Sequence, residues 1–246
     1  MAKIIAVIPA RMDSKRFPGK VAFLYNDKPL IYYVYNEISK SKKVDRLIVA
    51  TNSKEIQSVV EGFGGEVIMT SSRHQTGSDR IAEVIKKTSG DIIVNIQADN
   101  FGVKAGVLDK AITKFTSNRN LQYGTLAYKI KDDRELMDPN LVKVVLSDED
   151  YGLWFSRYPI PYLKSGNKKN QSAQHSFYGH IGIYFYRKQG LMKFAGWKRS
   201  ICEKAESLEQ LRIIENGEKI KVFKTKMSSV SVDDPEDVKK LSHIYG

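Results

Sequence analysis

The strongest constraint on the fold is a regular alternation of apolar texture across residues 3–115. Residues 3–9 (KIIAVIP) are aliphatic and β-branched, and the run closes at Arg11. It is too short for a signal sequence, lacks a small-residue cleavage site and reads as a buried strand. Residues 29–40 carry apolar positions at helical spacing, with Pro29 suited to the first turn. Strands are expected at 46–51, 66–70 and 91–97 (DIIVNIQ), and helices at 53–63, 78–87 and 104–115. Gly64 and Gly65 stop one helix as C-cap glycines do, and Gly90 breaks another. Such alternation implies crossover units. The expected class is α/β, with a central, mainly parallel sheet covered on both faces. In sheets of this kind ligands sit beyond the carboxyl ends of the strands. The loops after Pro9, Thr51, Thr70 and Gln97 are therefore the ones to watch.

Beyond residue 120 the pattern changes. Strands are expected at 121–130, 142–146, 153–156 and 178–186, with few helices between them. This reads as a smaller mixed-strand annex, around 121–190, within a single domain spanning 1–246. Residues 158–176 hold two prolines and the polar run LKSGNKKNQSAQ, and a loop of that length is functional or mobile. Its stretch 164–174 is a lid candidate. A helix is expected at 207–216, with Ser207 and Gln210 as a capping box and Gly217 as its stop. A strand at 219–224 follows. The last helix, 235–244, starts beside Asp234, Glu236 and Asp237, as the helix dipole favours.

Charge narrows the partners. Forty Lys and Arg against 28 Asp and Glu leave a net charge of +12, which suits nucleotides, phosphates, sugar acids or another anionic surface. The cations are spread along the chain rather than gathered in a reader motif, so nucleic acid is not the expected partner. One cysteine, Cys202, excludes an internal disulfide and a cysteine zinc site, and points to a cytoplasmic setting. No apolar run approaches the roughly 18 residues of a membrane span.

The loop after the first strand, IPARMDSKRFPGK, places Arg11, Lys15, Arg16 and Lys20 close together, with Ser14 and Gly19 among them. Backbone amides and cations there can hold polyphosphate oxygens, although neither the Walker A spacing nor GxGxxG is present. Asp99, just beyond a strand end, fits a magnesium ligand or a turn residue. Asp233 and Asp234 fit a helix N-cap. Arg157 could meet a substrate carboxylate. His180 and Tyr184 fit structural roles in an alternating strand, and Glu209 and Gln210 fit helix capping. His74 and His175 are isolated.

Six blocks carry a resemblance. IPARMDSKRFPGK, VATNSKEI, GGEVIMTSSRHQTGSDRIAEV, YGHIGIYFYR, ESLEQLRIIENGEKI and VDDPEDV follow one another across nearly the whole chain. Together they resemble the sugar-acid cytidylyltransferases, most closely those acting on 3-deoxy-manno-octulosonate (Kdo). The resemblance implies a nucleotide-diphospho-sugar transferase-like fold and magnesium-dependent transfer of CMP from CTP to the anomeric hydroxyl of a 2-keto sugar acid. It also implies release of pyrophosphate, a role in bacterial surface-glycan synthesis, and a homodimer built from residues 154–183. By the same resemblance Arg11 and Lys20 contact the triphosphate, and Ala10, Ser14, Arg16, Gln75, Ser78 and Arg80 line the nucleotide side. Asp99 and Asp233 would hold the metal. Gln97, Arg157, His180, Tyr184, Glu209 and Gln210 would hold the sugar acid. The chain departs from the family at Ala98-Asp99-Asn100-Phe101, where Gly-Asp-Glu-Pro is usual, and at Asn52, where an acid is usual. The departures leave open another acceptor, such as an 8-amino Kdo analogue or a nonulosonic acid. A non-catalytic anion-binding protein is the remaining alternative.

Overall fold

In strand β1 (Ile4–Pro9) successive side chains point to opposite faces. Ile4, Ala6 and Ile8 join one buried cluster, and Ile5 and Val7 join another. This sorting recurs along the sheet, so both faces are buried. The computed structural model describes residues 2–14, 16–74, 76–164 and 170–245.

After β1 come a 3-10 turn at Lys20–Ala22, the short strands β2 (Leu24–Tyr25) and β3 (Lys28–Pro29), and helix α1 (Leu30–Ile38). Next are β4 (Arg46–Thr51), α2 (Lys54–Gly62), β5 (Val67–Met69), α3 (Gly77–Lys87), β6 (Ile92–Ile96), the two-residue β7 (Asn100–Phe101) and α4 (Ala105–Ser117). These agree closely with the alternation read from the sequence. Ser53 caps α2 by accepting from the Ile56 amide, and Thr76 caps α3 by accepting from the Asp79 amide. Helices α1, α2 and α4 cover one face of the sheet, and α3 covers the other.

The second half supplies β8 (Tyr123–Lys129), α5 (Asp133–Met137), β9 (Lys143–Leu146), β10 (Tyr151–Ser156), α6 (Gln171–Gln174) and β11 (Tyr178–Arg187). Then follow α7 (Lys188–Gly196), α8 (Ile201–Glu206), α9 (Leu211–Glu215), β12 (Ile220–Thr225), β13 (Val230–Ser231), a 3-10 turn at Pro235–Leu241 and α10 (Ser242–Tyr245). Nine strands form one sheet in the order β5-β4-β1-β6-β11-β8-β12-β10-β9.

Two expectations need correction. The sheet is mixed rather than mainly parallel: β5, β4, β1 and β6 run parallel, whereas β11 is antiparallel to β6, β8 and β9. The strands of the expected annex lie in this same sheet, with β11 directly beside β6. The helix expected at 207–216 is broken, since Ser207 adopts φ 54° and ends α8 instead of starting a helix. The capping box is formed instead by Ser200 and Glu203, seven residues earlier in the sequence than the pattern suggested. Helix α7 was not expected. Its apolar residues Leu191 and Phe194 pack on the same face as α3.

Candidate active site

Parallel packing of β4, β1 and β6 brings their carboxyl ends to one edge, and the basic loop after β1 folds over it. Gly19 takes φ 71°, a left-handed conformation that strains other residues, and starts the turn that turns Lys20 inward. The Lys20 side chain is buried, and its ammonium is 2.7 Å from Asp99 Oδ2, 2.7 Å from the Val232 carbonyl and 3.8 Å from Asp233 Oδ1. Two residue pairs bring the distant aspartates together: Asn100 opposite Ser231, and Phe101 opposite Val230, in the β7–β13 ladder. Ser231 donates to Asp233 Oδ2 at 3.0 Å. Asp237 accepts from the Asp233 and Asp234 amides and holds that turn, so Asp233 itself stays turned toward Lys20. Arg16 pairs with Asp233 at 2.9 Å and with Asn140 at 2.9 Å.

Two carboxylates facing one ammonium form an all-oxygen donor set that suits a hard divalent cation. Among the described residues no group of three or more His, Cys, Asp and Glu side chains forms a complete cage. A hard divalent ion keeps waters and phosphate oxygens among its ligands, so Asp99 and Asp233 are suited to hold one.

Beside this pair opens a cavity of about 490 Å³. Gln97, Arg157, His180, Tyr184, Glu209 and Gln210 all line it, together with both aspartates. Gly182 lets the 97–100 loop approach β11: a Cβ there would lie 3.0 Å from Asn100 Nδ2 and 3.3 Å from Gln97 Cγ. Burial pushes the Tyr184 phenol well up, so it stays protonated and donates to Gln210 Oε1 at 2.9 Å. The Gln210 amide nitrogen is buried and has no hydrogen-bond partner among the described residues. Burial brings the His180 imidazole down to about 3, so it is neutral beside Thr125 Oγ1, 2.8 Å away. This His contributes shape and hydrogen bonding rather than charge. Burial pushes the Glu209 carboxyl up, opposed by the hydrogen bond that Ser78 donates at 2.6 Å. Arg157 is fixed from two sides, donating from Nε to the Glu206 carbonyl at 3.0 Å and from Nη1 to the Pro139 carbonyl at 3.1 Å.

Of the expected nucleotide residues Arg16 lines this cavity, and Ala10, Arg11, Ser14, Ser78 and Arg80 are not among its lining residues. Arg11 is exposed, and Arg80 is buried with its guanidinium donating to Thr70. Burial, with Arg11 nearby, lowers the Arg80 pKa. The Ala10 amide donates to the Ala50 carbonyl at 2.9 Å. Ser14 sits in the basic loop, its amide bonded to the Met12 carbonyl. Ser78, expected on the nucleotide side, instead meets Glu209 and links the two groups of residues. Gln75 lies outside the described residues, as does 165–169 of the lid candidate.

Sequence reasoning missed Asn140, Glu206 and Lys143. Glu206 accepts from Ser156 Oγ at 2.6 Å and from the Arg157 amide at 3.0 Å. Lys143 had a signal: it is a cation inside the β-branched run VKVVL.

The two carboxylates, the buried ammonium and the basic loop thus gather at the carboxyl edge of the parallel strands. A solved CMP:2-keto-3-deoxy-manno-octonic acid synthetase complexed with CTP is 33% identical, with a TM-score of 0.89 over 98% of each chain. Residues 5–220 match the Cytidylyltransferase family. The 3-deoxy-manno-octulosonate cytidylyltransferase of Geobacter sulfurreducens is 41% identical, covering 97% of each chain. That of Thermodesulfovibrio yellowstonii is 44% identical over 95% of this chain and 94% of its own. The chain belongs to the cytidylyltransferase family.

Proposed function

We propose that this enzyme transfers CMP from CTP to the anomeric hydroxyl of Kdo and releases pyrophosphate, activating the sugar acid for a bacterial surface glycan. The observation that carries this reading is the meeting of Lys20, Asp99 and Asp233 at the mouth of a polar cavity. Asp99 and Asp233 would hold magnesium, which neutralises phosphate charge and polarises the attacking hydroxyl when bound. Lys20 and Arg11 would draw charge from the leaving pyrophosphate, and Arg16 and Ser14 would hold the outer phosphates. Arg80, with Gln75 and the main chain near Ala10, would form the base side, and Ser78 would join it to Glu209. In the cavity Arg157 would face the sugar carboxylate. Gln97, His180, Tyr184, Glu209 and Gln210 would meet hydroxyls, each as a positioned neutral or acceptor group.

Turnover of CTP with a panel of sugar acids, followed by pyrophosphate release, tests the reading. Kdo is the expected substrate, and no release with any sugar acid would refute it. One observation favours a second acceptor: Asn100 stands where an acid is usual, and its buried Nδ2 has no partner among the described residues at the cavity wall. Turnover with an 8-amino analogue or a nonulosonic acid but not Kdo selects that alternative.

The chain is further proposed to act as a cytoplasmic homodimer. Tyr158 and Tyr162 are 76% and 82% exposed beside a groove of about 690 Å³ lined by Pro159, Pro161 and Met137. Phe155, His180 and Ile181 belong to the core, so only the outer part of the 154–183 region is available for pairing. Among the described residues no helix is long and apolar enough to cross a membrane.

A further inference from the structure

Lys143 sits on β9 opposite Ser156 and Gly179, and its side chain is fully buried at 0% exposure. A buried ammonium is costly unless its donors are filled. Here all three are: it donates to the Asp138 carbonyl at 2.9 Å, the Leu141 carbonyl at 2.7 Å and the Arg157 carbonyl. Among the described residues it forms no ion pair. These carbonyls belong to two walls of the cavity, residues 138–142 on one side and Arg157 on the other. Arg157 itself donates to the Pro139 and Glu206 carbonyls. Asn140, on the first wall, holds Arg16. Lys143 therefore ties the backbone of Asp138 and Leu141 to that of Arg157.

We propose that Lys143 is a positioning residue whose ammonium sets the place of Arg157 in the acceptor pocket, so that losing its proton weakens acceptor binding selectively. This rests on the proposed transfer to a sugar acid. A neutral amine has two donors and a lone pair, so one of the three carbonyls is left facing a lone pair. The charged groups that face Lys143 are Asp138, Arg157 and Glu206. Burial brings Lys143 down to about 8; Arg157 adds to the drop, and Asp138 and Glu206 oppose it. The ammonium therefore prevails below this value and is lost above it.

The test is steady-state kinetics of the full chain with CTP, magnesium and Kdo from pH 6.5 to 9.5. The acceptor KM is expected to be flat at the acid end and to rise about tenfold at the alkaline end, as loss of one charged hydrogen bond predicts. The CTP KM and kcat are expected to change less than about twofold. Lys143→Met is expected to raise the acceptor KM at pH 7 and abolish its pH dependence. Lys143→Arg keeps a charge that does not titrate and should keep the KM flat to pH 9.5. Should both variants fail to fold, the wild-type profile decides alone. Turnover with an acceptor KM that stays flat to pH 9.5, or a rise that persists in Lys143→Met, overturns the assignment of Lys143 only. No turnover with any acceptor overturns the transfer reading and this inference with it.

Discussion

Removing Arg212 should disable the acceptor side of the cavity without touching a substrate. Arg212, in α9, donates to Glu203 of α8 at 2.8 and 2.6 Å, and its guanidinium lies 4.4 Å from the Phe194 ring centroid. Both partners of the pair are 1% exposed or less. Between them runs the turn of residues 207–210 that presents Glu209 and Gln210 to the cavity. Burial pushes the Glu203 carboxyl up, but the Arg212 bonds outweigh it and hold the pKa low. Arg212→Met leaves that carboxylate buried with Arg199 at 3.2 Å as its remaining cation. Breaking one side of such a pair costs about 3–5 kcal/mol. For a chain of this size that is a Tm drop of about 6–20 °C. Glu203→Gln keeps the cap on the Ser200 amide and removes the charge, so the double variant Glu203→Gln/Arg212→Met should regain most of the loss. Thermal and urea unfolding of the four proteins form the double-mutant cycle, and the acceptor KM is read alongside. A single variant within about 1 kcal/mol of wild type would refute the reasoning. So would a double variant no more stable than Arg212→Met.

Lys20→Met should lower kcat by about 10²–10³ with little change in sugar-acid KM, since its charge acts on the leaving group; an unchanged kcat would remove it from the chemistry. Asp99→Asn should nearly abolish turnover while thermal unfolding stays close to wild type, and a near-normal rate would exclude Asp99 as a metal ligand. For His180 the folded pKa, about 3, lies below the ordinary 6.5, so its stabilisation is whole above pH 6.5 and lost as pH falls. His180→Gln should flatten the pH dependence of unfolding free energy between pH 6 and 4 by about 1.4 kcal/mol per unit, and an unchanged slope would contradict the neutral assignment. Burial opposes ionisation of Glu83, but bonds from Lys87, the Ser71 amide and His74 bring it down to about 2 from 4.5. Its stabilisation is therefore present above pH 4.5 and lost toward pH 2. Glu83→Gln should lower Tm at pH 7 and show a smaller further fall across that window; equal falls in both proteins would argue against it.

The parallel half of the fold was legible because each strand is a short β-branched run and each helix has its own cap or stop. The antiparallel half was legible strand by strand, but not in its order. Nothing in the apolar pattern of β11 says that it pairs with β6, because that choice is made by contacts far apart in sequence. The helix at 207–216 misled for a local reason. Ser207 and Gln210 have the right spacing for a capping box, but burial of Glu203 against Arg212 makes the chain turn at Ser207 instead. In the site, Asp99 was legible from its position after a strand, and Asp233 only through resemblance. Arg157 was legible as a cation, but not the Glu206 and Lys143 contacts that fix its backbone, since those depend on which carbonyls face inward.

The two aspartates owe their spacing to a ladder of only two residue pairs, separate from the nine-stranded sheet. So short a zipper can part without disturbing the strands beneath it. The gap between the carboxylates is therefore a soft coordinate, tuned by whatever lies between them. Amides at Asn100 and Ser231 should exchange with deuterium sooner than those of β1 and β6, and should slow when that gap is filled.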